Sequence, residues 1–145
     1  MSQNLSRDQR LACAYALLSL IKNALGESEV ALELIRKGMQ LNPSHPWNYS
    51  YSLAIAYFVL DRIDEAIAEL EAARSKNTRA LPVRALLAAS YMKADRPGVA
   101  EWEVVEIQAI NPASSTSRFR YAFPIKDEKI VHVILEMLRA AGLPE

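Results

Sequence analysis

The chain is short of four things, and each shortage excludes a class of protein. It has one cysteine in 145 residues. Cys13 has no partner within the chain, so no internal disulfide holds the fold, and a reducing setting is expected. Its four glycines sit at or near turns, and they supply neither a glycine-rich phosphate loop nor a GxSxG nucleophile turn. It has no excess of charge: Lys plus Arg is 17, and so is Asp plus Glu. The balance also holds locally, five basic to four acidic over 1–46, four to five over 47–80, three to four over 81–112 and five to four over 113–145. No segment attracts nucleic acid or anionic lipid over distance, so neither is an expected partner. Finally, no apolar run approaches the roughly 18 residues of a membrane helix. The start, MSQNLSRDQR, is polar and lacks the apolar core of a signal peptide. A cytoplasmic location is expected.

What is present is helix. Apolar residues make up 51 % of the chain, helix formers dominate, and strand-like alternation is absent, so the expected class is all-α in one domain over 1–145. Ser6-Arg7-Asp8-Gln9 reads as a capping box opening a first helix to about Leu25. Leu11, Ala14, Tyr15, Leu18 and Ile21 are its expected buried stripe. Gly26 ends it, and Ser28 is the expected cap of a second helix to about Gln40, with Ala31, Leu34, Ile35 and Met39 inward. Asn42-Pro43 stops that helix, and Ser44 is the expected cap of a third, about His45 to Leu60. A fourth runs from Ile63 to Lys76 with Ala66, Ile67, Leu70 and Ala73 inward. A fifth covers Ala80 to Lys93, and a sixth runs from Pro97 to Ile110. Beyond Asn111-Pro112 come a turn or two at Ser114 to Arg120, an extended break at Phe123-Pro124, and a last helix capped by Asp127.

The same residue types recur at a fixed interval. Ala31, Ala66 and Ala100 are 35 and 34 residues apart, as are Leu18, Leu53 and Leu87, the turn residues Gly26, Asp61 and Asp95, and Asn42, Asn77 and Asn111. A period near 34 with two helices per unit is the sequence signature of a tetratricopeptide array. Leu18, Gly26, Ala31 and Asn42-Pro43 in repeat one fall at that pattern's places. So do Leu53, Ala54, Tyr57, Ala66 and Ala73 in repeat two, and Leu87, Ala88, Tyr91, Ala100 and Asn111-Pro112 in repeat three. The chain therefore resembles the tetratricopeptide repeat family. Repeat one departs from it with Lys22 where Tyr57 and Tyr91 stand, and repeat three with Pro97-Gly98. The resemblance implies three helical hairpins in a right-handed superhelical stack, about 12–45, 46–80 and 81–114. A C-terminal cap over 115–145 is expected to cover the end of the last repeat.

It also implies a function class, protein–protein interaction without catalysis, along a concave face lined by the first helices. Family geometry places Cys13, Ala16, Leu20 and Asn23 there from repeat one. Repeat two contributes Asn48, Tyr51, Ile55 and Phe58, and repeat three Pro82, Ala85, Ala89 and Met92. This groove is apolar with an aromatic centre and suits an amphipathic helix or an extended apolar peptide. Another copy of the chain or the chain's own tail could equally fill it, making a homo-oligomer one outcome, or Tyr51, Ile55 and Phe58 could be plain core. It holds no lysine or arginine clamp of the kind that takes a chaperone C-terminus, and a carboxylate there would lose its hydration unrepaid.

A narrower resemblance rests on the tail. Tyr121-Ala122-Phe123-Pro124-Ile125-Lys126-Asp127, then a helix, then Ala141-Gly142-Leu143-Pro144-Glu145, is similar to the end of bacterial class III adenylate or guanylate cyclases that carry such repeats after the catalytic domain. Leu41-Asn42-Pro43-Ser44-His45-Pro46 is similar to their linkers. That resemblance implies the regulatory or oligomerising end of a signalling protein; a free-standing adaptor and the tail of a transcription regulator are the alternatives, and a small helical enzyme a remote one. No catalytic constellation stands out. His45 and His132 have no second histidine or cysteine at zinc spacing, so no metal or cofactor is expected. Cys13 reads as a small buried side chain rather than a nucleophile. The acidic runs Asp64, Glu65, Glu69, Glu71 and Glu101, Glu103, Glu106 read as solvated convex faces.

Overall fold

The computed structural model describes residues 5–145, so the first four residues of the polar start lie outside the described residues. The elements are α1 (Arg7–Ala24), α2 (Ser28–Leu41), α3 (Trp47–Val59), α4 (Ile63–Lys76), α5 (Leu81–Lys93), α6 (Pro97–Ile110), the single turn α7 (Thr116–Phe119) and α8 (Glu128–Ala140). No strand occurs among the described residues. The helices pair as hairpins α1–α2, α3–α4 and α5–α6, and each hairpin stacks on the next through α2 on α3 and α4 on α5.

Local chemistry explains several boundaries. Ser6 closes a complete capping box, its Oγ accepting from the Gln9 N–H at 3.1 Å while Gln9 Oε1 accepts from the Ser6 N–H at 3.0 Å. Asp127 accepts from the Lys129 N–H at 2.9 Å and opens α8. Two expected caps are corrected. Ser28 is the first residue of α2, buried, and makes no capping bond. The third helix begins at Trp47, two residues later than expected, with Pro46 as its N-cap and no side-chain cap from Ser44.

The three hairpin turns share one geometry. Gly26, Asp61 and Asp95 have φ of 83°, 60° and 59°. The following N–H groups, of Glu27, Arg62 and Arg96, reach back to the carbonyls of Lys22, Tyr57 and Tyr91, each at 2.8 Å. This is the left-handed helix ending that satisfies otherwise orphaned carbonyls. Aspartate there carries a Cβ penalty of roughly 1–2 kcal/mol against the smaller entropic cost of glycine. Asp95→Gly is therefore expected to stabilise the protein by about 0.5–1 kcal/mol and to raise the thermal midpoint by a few degrees. Asp61→Gly should gain less, because it forfeits the Asp61–Lys93 ion pair at 3.1 Å. A fall in the Asp95→Gly midpoint in differential scanning calorimetry would show that aspartate is unstrained there.

Packing follows the period in the middle and departs from it at the ends. Ala31, Ala66 and Ala100 are fully buried, which lets paired helices approach closely. Helix α3 is buried on every side from Tyr49 to Phe58, and α5 from Val83 to Tyr91. Helix α1 is different. Its buried residues are Ala12, Ala16, Ser19 and Asn23, whereas Leu11, Ala14, Leu18 and Ile21 of the expected stripe are exposed and Tyr15 is half-buried. In α3 and α5 that stripe meets the preceding hairpin, and among the described residues no hairpin precedes α1. In α2, Leu32 and Gly38 are buried while Leu34 and Met39 are only partly so.

The acidic runs are not simply solvated. Glu103 is 1 % exposed and takes Arg84 Nη1 at 2.7 Å on one oxygen and Arg74 Nη1 on the other. Glu71 accepts the Tyr91 hydroxyl at 2.6 Å, and the equivalent Tyr57 hydroxyl accepts from Arg36 at 2.7 Å. Burial, then the bond to Glu71, pushes the Tyr91 phenol up to about 12. The two tyrosine contacts tie the second helix of one hairpin to the first helix of the next, and Glu103 ties α6 to α5 of its own hairpin and to α4 of the one before.

Candidate functional site

The first helices α1, α3 and α5 present four rows of equivalent residues to the inner face. The outermost row, Cys13, Asn48 and Pro82, is open, with Cys13 and Asn48 exposed and Pro82 half-buried. The next, Ala16, Tyr51 and Ala85, is buried. In the third row Leu20 is exposed while Ile55 and Ala89 are completely buried. In the last, Asn23 and Phe58 are buried and Met92 is half-buried.

The physical reason is α8. It packs on α5, and Lys129, Ile130 and Val133 share a cavity of about 290 Å³ with Phe58, Val59 and Lys93 at the ends of α3 and α5. Just before α8, Lys126 lies against the α1–α2 turn, where a Cβ on Gly26 would stand 3.2 Å from Lys126 Cδ. A helix capping the far end of the last repeat could not reach the turn of the first. The last helix thus packs on α5 of the last repeat and runs on across the inner face, where the chain's own tail was one of the expected occupants. Ile134 and Leu138 are fully buried, and small α5 residues at the inner positions, Ala85 and Ala89, leave room for the helix. Phe58, Ile55, Ala85 and Ala89 are therefore interior to this chain, not a free surface.

Two other expected groove residues are held by the fold. Asn23 donates its side-chain amide to the Ser52 carbonyl at 3.1 Å, and Ser19 bonds Ser52 at 2.9 Å and the Ala31 carbonyl at 2.8 Å. This network joins hairpins one and two. Burial pushes the Tyr51 phenol up, and its hydroxyl has no hydrogen-bond partner among the described residues. Cys13 is exposed, against the expectation of burial, 3.6 Å from the Tyr49 hydroxyl. Burial, then the contact with Cys13, raises the Tyr49 phenol to about 12.

What remains open on the inner side is Cys13 and Leu20 of α1, Asn48 of α3, and a trough beside α8. The trough, about 720 Å³, runs between the 120–126 segment and α8. It has an apolar floor of Phe123, Ile125, Val131 and Leu135 and a rim carrying Arg120, Lys126, Glu128, Lys129 and His132. No residue pattern marks this trough, because it depends on where the tail folds back. No cluster of three metal-ligating side chains occurs among the described residues, and no described helix is long and apolar enough to cross a membrane.

No protein-family model and no curated protein sequence matches the chain. Solved structures do. The first tetratricopeptide domain of Spaghetti (RPAP3), bound to the HSP90 peptide SRMEEVD, is similar at TM-score 0.68 and 15 % identity over 92 % of this chain and 97 % of its own. The type III secretion chaperone SycD of Yersinia enterocolitica, in complex with a peptide of the translocator YopD, is similar at TM-score 0.69 and 14 % identity over 96 % of each chain. PcrH of Pseudomonas aeruginosa is similar at TM-score 0.68 and 14 % identity, also over 96 % of each. At such identities the likeness is one of fold: the chain has the all-helical tetratricopeptide architecture, along nearly its whole length.

Proposed function

We propose that this protein is a non-catalytic protein-interaction module that receives an apolar, amphipathic helix or extended peptide on its concave side. The observation that carries the reading is α8 itself: an amphipathic helix seated on the inner face, with Ile134 and Leu138 fully buried. The inner face has the shape and chemistry to hold such a segment. A partner would add beside α8, over Leu20, Cys13 and Asn48, or take its place. Two structural neighbours were solved with bound peptides, which supports the class of function. It does not carry over the HSP90 peptide, because the inner positions Ala16, Leu20, Tyr51, Ile55, Ala85 and Ala89 offer its carboxylates no cation.

A cytoplasmic setting and a parent protein of the bacterial cyclase type are the finer parts of this proposal. They rest on the single cysteine and on the tail, Tyr121 to Asp127 and Ala141 to Glu145. Those tail residues seat α8: Phe123, Ala141 and Leu143 are buried, and the Thr116 N–H donates to the Pro144 carbonyl at 2.8 Å.

Selection from a displayed library of helical peptides tests the reading. The wild-type chain is expected to enrich peptides with one apolar face, and Leu20→Glu, at an exposed position, to lose them while keeping its circular dichroism. Enrichment of acidic C-termini instead, or of nothing, would overturn it.

A further inference from the structure

The outer face of α1 carries more exposed large hydrophobic side chains than any other described helix. From Leu11 to Leu25, Lys22 is the one charged residue. The residues opposite the buried Ala12, Ala16, Ser19 and Asn23 are Ala14, Leu17, Leu18, Ile21 and Leu25. The repeat supplies an internal control. Leu18 is 41 % exposed, and its equivalents Leu53 and Leu87 are 4 % and 0 %. Leu17 is 61 % exposed, and its equivalents Ser52 and Leu86 are 3 % and buried completely. The difference is the preceding hairpin, which α3 and α5 have and which no described residue supplies for α1. Leucine at these positions on an unpartnered helix is the residue choice of a packed face, not of a solvated one.

We infer that this face pairs with the same face of a second copy, α1 antiparallel to α1. Three observations select that occupant. Leu11, Ala14, Leu18, Ile21 and Leu25 are spaced by three, four, three and four residues, the seam along which two helices supercoil. Leu11 and Leu25 lie seven residues to either side of Leu18, so a two-fold contact centred on Leu18 sets each copy's Leu11 against the other's Leu25. The charges flanking it are complementary only when the helices run in opposite directions. Arg7 and Arg10 are exposed at one end; at the other Glu29 is exposed, and Glu27, also exposed, is already paired with Lys22 at 3.2 Å. Antiparallel pairing sets each copy's arginines against the other's glutamates, whereas parallel pairing sets like against like. Asp8, also at the first end, points to a different side of the helix. The exposed leucines and isoleucine present on the order of 500 Å² of apolar surface, as large as the principal patch of an ordinary monomer. With the flanking α2 surface, including the exposed Val30, the face approaches the ~800 Å² per partner of a standard interface.

Sedimentation equilibrium of the full chain without peptide is the test. At about 100 μM, well above the dissociation constants of standard-sized interfaces, the wild type is expected at twice its 16.2 kDa chain mass, and Leu18→Glu at one chain mass with unchanged helicity. Leu17→Glu, the most exposed of the set, is the second variant should Leu18→Glu fold poorly. Leu11→Cys and Leu25→Cys chains, each with Cys13→Ala, are expected to cross-link to one another and not to themselves. A monomeric wild type, whether alone or pairing only with a foreign helix, would overturn the inference. A dimer indifferent to both glutamates, or self-cross-linking of each cysteine variant, would do the same. Because mass is read without peptide and peptide capture is read at Leu20, failure of one leaves the other standing.

Discussion

Glu103→Ala is expected to lower the unfolding free energy by about 3–5 kcal/mol, the cost of leaving buried cations without their counter-charge. Glu103 on α6 is almost wholly buried and anchors Arg84 from α5 and Arg74 from α4. The Arg84 Nε is also committed, donating to the Thr78 carbonyl at 2.8 Å, so this guanidinium cannot swing out to water without giving up its bond to the α4–α5 turn. Arg74 is about a third exposed and contributes less. Urea denaturation reads the effect as a shift in midpoint. The triple variant Arg74→Met, Arg84→Met, Glu103→Leu is expected to recover most of the loss, because an apolar cluster of similar volume often does as well as a buried ion cluster. A single-variant loss under about 1 kcal/mol would mean that water reaches the arginines and the charge is not buried in solution.

Ile134→Ala is expected to cost about 2–5 kcal/mol, the transfer and cavity terms for a fully buried isoleucine. The position lies in the middle of α8, and α8 closes the inner face of α5. Loss at this residue therefore loosens the cover over Ala85 and Ala89 as well as removing its own contacts. Hydrogen exchange of α8 and α5 amides, alongside the urea midpoint, distinguishes global from local loss. If α8 opens as a unit, its amides and the inner α5 amides lose protection together while α2 keeps its own. A cost below about 1 kcal/mol, in the range of a surface change, would place Ile134 on a surface.

The repeat made the fold readable. Ala31, Ala66 and Ala100 mark where helices touch, and Gly26, Asp61 and Asp95 mark the left-handed turns, because both roles admit few residue types. The period could not show what happens where it stops. Leu11, Ala14, Leu18 and Ile21 carry the pattern of a buried stripe and are exposed, since periodicity reports which face is apolar and not whether anything covers it. Glu103 sits in an acidic run that reads as solvated; only the packing of α4, α5 and α6 brings two arginines to it. The inner-face residues Tyr51, Ile55 and Phe58 were legible as an apolar surface. Their occupant was not, because residues 111–127 hold no periodic signal that fixes where the chain turns back. The cap at Asp127 was readable, and the direction of the helix it opens was not.

The position of α8 is tested most directly by a disulfide between the first turn and the tail. In a Cys13→Ala background, cysteines replace Gly26 and Lys126, whose ideal and actual Cβ atoms stand 3.6 Å apart, within the range a disulfide bridges. The left-handed position tolerates a side chain, as Asp61 and Asp95 do. With α8 across the inner face, mild oxidation of the native protein is expected to close the bond nearly completely within one chain, and denaturant during oxidation to prevent that specific closure. Two free thiols persisting in the folded, oxidised protein would contradict it, placing α8 away from the concave side and leaving Ile55, Phe58, Ala85 and Ala89 open.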